Sequence, residues 1–249
     1  MSHNVLISGA SSGIGRATAL RFAREGWNVG VLARREPLLR ELLGECPAGN
    51  HFLCAGDMQD AHTIERLDKL IRTHWGQLHA LVNCAGIFTP VDLLEVPLEE
   101  WRKSFDTMVN GALRLSQLAV RWMRGGGRII HITSIHGERA ERGASAYSMA
   151  KAAINQMCRA LALEWADRGI LVNAIAPGFV DTPMSVVNGV NELQSEWFQQ
   201  NYVQGHHLPL RRAAQPEEIA GVAYFLAGPD ASYITGQVIV VDGGLTITF

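Results

Sequence analysis

Val5-Leu6-Ile7-Ser8-Gly9-Ala10-Ser11-Ser12-Gly13-Ile14-Gly15 is a short apolar run that halts at a glycine. A helical pattern follows through Ala17, Ala19, Leu20, Phe22 and Ala23 to Gly26. The stretch reads as strand, turn and helix. Its turn has the spacing Gly-x3-Gly-x-Gly. Missing side chains let a backbone approach a pyrophosphate, and the start of a helix offers unpaired amides to its charge. Gly9, Ser11, Ser12, Gly13, Ile14 and Gly15 are therefore candidate cofactor residues.

Working outward, the same alternation recurs. Apolar strand patterns at 29–33, 51–55, 78–82, 128–134, 170–175 and 236–241 are separated by helical patterns, of which 63–74 carries the inner stripe Ile64, Leu67, Leu70 and Ile71. A long helix is expected from about 98 to 123, with Asn110-Gly111 buried near its middle, an amide that wants a partner. This order predicts an α/β chain: one Rossmann domain over 1–249, a doubly wound parallel sheet of about seven strands, helices on both faces, and ligands beyond the strands' carboxyl ends. The chain of 249 residues has a net charge of −2 and scattered basic residues, which argues against nucleic acid as a partner. Cys46, Cys54, Cys84 and Cys158 lack the spacing of a disulfide scaffold. No run of 18 apolar residues suggests a membrane span, and no two of the nine histidines share ligand spacing on a helix face. A soluble, uncleaved, cytoplasmic protein without a metal is expected.

Chemistry enters at Tyr147 and Lys151. Four residues apart, they share one helical face, where an ammonium favours the phenolate. Ser134 ends the strand thirteen residues upstream of Tyr147. At the end of the second strand Ala33 is followed by Arg34 and Arg35, where a carboxylate would bond a ribose 2′-hydroxyl and an arginine accommodates a 2′-phosphate, so NADP(H) is expected over NAD(H).

Together these residues resemble a classical short-chain dehydrogenase/reductase over essentially the whole chain. Ser8-Gly9-Ala10-Ser11-Ser12-Gly13-Ile14-Gly15 resembles the family's cofactor loop, with serine in place of its usual first threonine. Asn83-Cys84-Ala85-Gly86 resembles its Asn-Asn-Ala-Gly, and Asn110, Ser134, Tyr147 and Lys151 follow the order of its catalytic residues. The resemblance implies that Tyr147 is the general acid or base and that Ser134 holds the substrate oxygen. Lys151 would lower the phenol's pKa and bind the nicotinamide ribose, while Asn110 would hold a water that links Lys151 to solvent. It further implies that Asp57 and Met58 contact adenine, that Asn83, Ala85 and Gly86 pass along the adenosine ribose, and that Pro177, Gly178, Val180 and Thr182 lie beside the nicotinamide. The activity implied is hydride transfer between a ketone or aldehyde and a secondary alcohol, with a 3-oxoacyl carrier-protein reductase or an NAD-using sugar or polyol dehydrogenase as alternatives. A dinucleotide-sensing protein could do without Tyr147 and Lys151. A homotetramer is expected through the 98–123 helix and the Tyr147 helix, which carry apolar residues on more than one face, including Trp101, Phe105, Leu161 and Trp165, with the last strand and its tail as the second interface.

The alternation stops between 183 and 208, a segment that carries Trp197, Phe198 and Tyr202. Aromatic side chains cost little entropy to order, which suits a lid. Beneath it Phe88, His136, Phe179 and Trp197 are expected to line a pocket with Ser134 and Tyr147. Such a pocket suits a medium-sized ketone or secondary alcohol with a hydrophobic body, in preference to a free sugar.

Overall fold

A computed structural model describes residues 2–187 and 189–248; Met1, Phe249 and Asn188, the last of them inside the expected lid, lie outside the described residues. Strands β1 (Asn4–Ser8), β2 (Asn28–Ala33), β3 (Phe52–Ala55), β4 (Ala80–Asn83), β5 (Gly127–Ile132) and β6 (Ile170–Pro177) alternate with helices α1 (Gly13–Arg24), α2 (Glu36–Glu45), α3 (Ala61–His74), α4 (Leu98–Phe105), α5 (Gly111–Trp122) and α6 (Ser145–Glu164). The chain continues through β7 (Val186–Val187), β8 (Val190–Asn191), α7 (Glu196–Phe198), α8 (Pro216–Ala227) and β9 (Val238–Val241). Seven strands form one parallel sheet in the order β3-β2-β1-β4-β5-β6-β9, the doubly wound Rossmann arrangement that the alternation predicts.

Burial follows from strand pleating. Val5 and Ile7 on β1 point into a core shared with α1, α2 and α8, whereas Leu6 points into the opposite core with α3, α5 and α6. Both faces are dry, so the strands read as continuous apolar runs. The register sets Ser8 of β1 beside Leu32 of β2 and Asn83 of β4, and Asn83 beside His131 of β5. The carboxyl ends of the central strands therefore open at one level, and the glycine loop, Asn83–Gly86 and Ser134 leave from it.

Two local expectations are corrected. The helix expected over 98–123 forms over Leu98–Trp122 but is not a regular α-helix: a π turn, Asp106–Asn110, lies between α4 and α5. The wider turn swings Asn110 to the surface, where its amide donates to Asp106 Oδ1 at 2.9 Å and its side chain is exposed. Gly111, which propensity disfavours, is there because of packing: a methyl on it would lie 2.7 Å from the side chain of buried Met58. The irregular 183–208 segment contains a small antiparallel hairpin, β7 with β8, before the short α7. Among the described residues no helix is long and apolar enough to cross a membrane.

Candidate active site

The glycine loop comes first, because it decides what can lie above the sheet. Gly9 is left-handed, with φ +69°, and a Cβ there would come within 2.7 Å of the Ala85 amide. Gly15 has no room for a side chain against the Gly9 carbonyl, so loop and helix start pack backbone on backbone. The result is a cleft of about 230 Å³. Its walls include Gly9, Ser11, Ser12, Gly13, Ile14, Gly15, Arg34, Arg35, Asp57, Met58, Ala85, Gly86 and Thr182. Arg35 is tied to the loop, its guanidinium donating to Ser11 Oγ at 2.8 Å and Ser12 Oγ at 2.9 Å, while Arg34 lines the cleft with no such tether. The charge and hydroxyls at this end suit a phosphate.

Asn83 is corrected. It is buried behind the cleft, where its Oδ1 accepts from Ser8 Oγ at 3.3 Å and its Nδ2 faces His131 Nδ1 at 3.2 Å. Its side chain joins three strands, and Ala85 and Gly86 alone of the three expected residues reach the cleft wall. Pro177 ends β6, and Gly178 has no side chain because Asp242 stands 2.8 Å from where its Cβ would be. Val180 bridges to Ala214, and Thr182 touches Gly13 of the loop.

Tyr147 and Lys151 are one turn apart on α6, as their spacing requires. Lys151 is 3% exposed; its Nζ donates to the Ile132 carbonyl at 2.8 Å and lies 5.4 Å from the Tyr147 ring centre. Burial pulls its pKa down to about 8, against the opposing effect of Cys84. The expected depression of the Tyr147 pKa by this lysine is not what the structure gives. Burial raises the phenol, and the opposing influence is the hydrogen bond with Ser134, because the ammonium is turned toward the strand carbonyl. Ser134 caps the 3-10 turn Ile135–Gly137, where its Oγ accepts the His136 amide at 3.2 Å and so keeps its own proton to donate.

The residue that reaches the site from the π turn is Met108, not Asn110, and it packs in one cluster with Tyr147. A methyl on Gly86 would lie 3.6 Å from Lys151 Nζ and 3.7 Å from Met108 Sδ, and Met108 is fully buried. Asn110, with its amide engaged by Asp106 at the surface, does not provide the buried polar group implied for it.

On the substrate side the expected residues divide into two groups. Phe88 and His136 meet the Tyr147 ring edge-on, at 5.4 and 5.9 Å. Phe179 belongs instead to an aromatic cluster with Phe198 and Tyr202, at 5.0 and 4.7 Å, and Trp197, 60% exposed, packs on Tyr202 from outside. Glu141, which the sequence did not single out, pairs with His136 at 3.1 Å. Among the described residues no cluster of His, Cys, Asp or Glu is suited to a metal ion.

The family model described as Enoyl-(Acyl carrier protein) reductase matches residues 9–246. The chain is 37% identical to a glucose 1-dehydrogenase of Gluconobacter oxydans, over 98% of this chain and 91% of the relative. It is 36% identical to a 3-oxoacyl-[acyl-carrier-protein] reductase of Synechocystis sp., over 97% and 96%. Its fold superposes on a single-substitution variant of the actinorhodin polyketide ketoreductase, solved with NADPH, with a TM-score of 0.88 and 32% identity, covering 98% and 97% of the two chains.

Proposed function

The chain belongs to the short-chain dehydrogenase/reductase family of oxidoreductases, and on that premise we propose that it interconverts a ketone or aldehyde and a secondary alcohol with NADP(H). The observation that carries this reading is the meeting of Ser134, Tyr147 and Lys151, with Lys151 Nζ beside Gly86 of the glycine-loop cleft wall.

The cleft fits the cofactor: the loop backbone is bare where a pyrophosphate would lie, and Arg34, Arg35, Ser11 and Ser12 form a cationic, hydroxyl-bearing end with no carboxylate at Ala33. Asp57 and Met58 take the adenine end, Ala85 and Gly86 the adenosine ribose, and Pro177, Gly178, Val180 and Thr182 the nicotinamide end. When bound, the cofactor supplies or accepts the hydride. In the reducing direction Ser134 donates a hydrogen bond to the carbonyl oxygen, stabilising the charge that develops there. Tyr147 then gives that oxygen its phenolic proton. A phenol whose pKa is raised by burial stays protonated at neutral pH, which suits the acid role. Lys151 supplies the positive charge beneath the reacting groups and holds the ribose hydroxyls. Segment 183–208 acts as the lid, with the Phe179, Phe198 and Tyr202 cluster as its inner lining. Four free thiols fit a reducing cytoplasm.

The test is steady-state kinetics on a panel of ketones and secondary alcohols with both cofactors. NADP(H) is expected to give the higher catalytic efficiency, and Tyr147→Phe is expected to lose about 10² to 10⁴ in turnover while still binding cofactor. Equal efficiency with NAD(H) refutes the cofactor assignment, and turnover within about twofold of the parent refutes the acid-base role.

A further inference from the structure

One polar corner of the site has no part in the proton and hydride chemistry. His136 stands two residues beyond Ser134, its ring edge-on to Tyr147 at an interplanar angle of 89°. His136 Nε2 lies 3.1 Å from Glu141 Oε2, whereas Nδ1 is buried without a hydrogen-bond partner. A proton on Nδ1 would be an unmatched buried donor, so the proton belongs on Nε2, which donates it to the carboxylate. The same hydrogen bond, against the opposing effect of burial, holds the Glu141 carboxyl below its usual range and keeps it ionised. One carboxylate oxygen is thus fixed; among the described residues the other has no hydrogen-bond partner, and the side chain is 54% exposed. From the lid side Tyr202 is near enough for the Glu141 charge to add to the effect of burial in raising its phenol. Glu141 is thus joined through His136 to the Tyr147 ring, an anionic group at the edge of the site that can only accept hydrogen bonds.

We propose that Glu141, oriented by His136, recognises a hydroxyl group on the substrate, and that the preferred substrate is an uncharged hydroxyketone, or the matching diol, with an apolar body. This rests on the carbonyl-reducing reading of the site and adds the substrate class to it. A hydroxyl can donate to the free carboxylate oxygen, whereas a methyl or a second carbonyl leaves that charge unpaired and a carboxylate or phosphate on the substrate is repelled. A site built around a substrate hydroxyl discriminates strongly against the analogue that lacks it. His136 acts through Glu141 and is a positioning residue.

The experiment compares kcat/KM of the whole enzyme with NADPH for 2-hydroxyacetophenone, acetophenone and benzoylformate, in the parent and in Glu141→Ala, Glu141→Gln and His136→Phe. The parent is expected to favour the hydroxyketone over acetophenone by about tenfold or more, and over benzoylformate by at least as much. Glu141→Ala and His136→Phe should bring the first ratio to within about threefold, while Glu141→Gln, still an acceptor, retains an intermediate preference. Thermal midpoints and cofactor binding, followed by fluorescence, establish that each variant is folded, and a ratio is insensitive to a uniform loss of active enzyme. A parent that does not discriminate, or a Glu141→Ala variant that keeps the parent's ratio, overturns the inference while leaving the oxidoreductase reading intact. If no ketone on the panel, nor its alcohol with either cofactor, is turned over, the oxidoreductase reading falls and this inference with it.

Discussion

At the scale of single residues, the active centre is governed by burial. Lys151 is buried against the Ile132 carbonyl and Gly86, and its pKa is pulled down to about 8. Its charge is present below that pH and is lost as the pH rises through it. Tyr147 is moved the other way, so a descending limb near pH 8 in kcat/KM for carbonyl reduction belongs to Lys151. A profile flat between pH 7 and about 9.5 would contradict this assignment. His131 gives a second pH effect, on stability. Burial, with the Lys151 charge adding to it, lowers its pKa from 6.5 to about 4, so the unfolded chain takes up the proton first as the pH falls. Its contribution is complete above pH 6.5 and drains away toward pH 4, where the loss is roughly 3 kcal/mol. Urea denaturation at pH 7 and pH 4 should show His131→Gln losing less stability than the parent by about that amount. Parallel losses would refute it.

At the scale of elements, the lid segment separates into an inside and an outside that its sequence does not mark. Phe198 is 4% exposed in the cluster with Phe179 and Tyr202, so its truncation is a folding mutation, costing about 3–5 kcal/mol. Trp197 is 60% exposed and meets that cluster at Tyr202, free to pack on a substrate. Trp197→Ala is therefore the clean test of lid function: KM for an apolar ketone should rise by roughly tenfold with the thermal midpoint little changed. An unchanged KM, or a loss of stability instead, would make the segment a packing element. The glycine loop shows the same dependence of element on neighbour, because Gly9 and Gly15 are required by the closeness of Ala85 and of the loop's own backbone.

For the whole molecule, the expected homotetramer rests on different residues from those the helix pattern suggested. Leu161 is buried and Trp165 packs against the same core, while Trp101 stacks on Phe105 at 5.5 Å. Exposed apolar residues on the packing elements include Met149 and Leu163 on α6, Leu98 on α4, and Phe225, Tyr233 and Val240 around α8 and β9. We propose that the residues on α6 and α4 and those at the β9 edge of the sheet form two separate contact faces, as four copies with two kinds of two-fold axis need. Light scattering should give four times the 27.2 kDa of one chain, and Leu163→Glu should reduce it to dimers or monomers. A parent that scatters as a single chain refutes the assembly.

The sequence by itself determined the Rossmann sheet, the place of the cofactor loop and the pairing of Tyr147 with Lys151. Each is a local regularity: strand and helix periods, a glycine spacing, and a four-residue step that any α-helix turns into a shared face. Tertiary structure alone decided what depends on distant neighbours. Asn110 lies at the surface at the end of the π turn, and buried Met108 from the same turn packs with Tyr147 instead. Asn83 turned inward because Ser8 and His131 meet it across β1 and β5. The Tyr147 pKa rises where a lysine one turn away predicts a fall, because burial depends on everything packed around the phenol and Lys151 has a nearer acceptor in the Ile132 carbonyl. Glu141 carries no motif at all; it joins the site because the turn after Ser134 folds His136 back onto it.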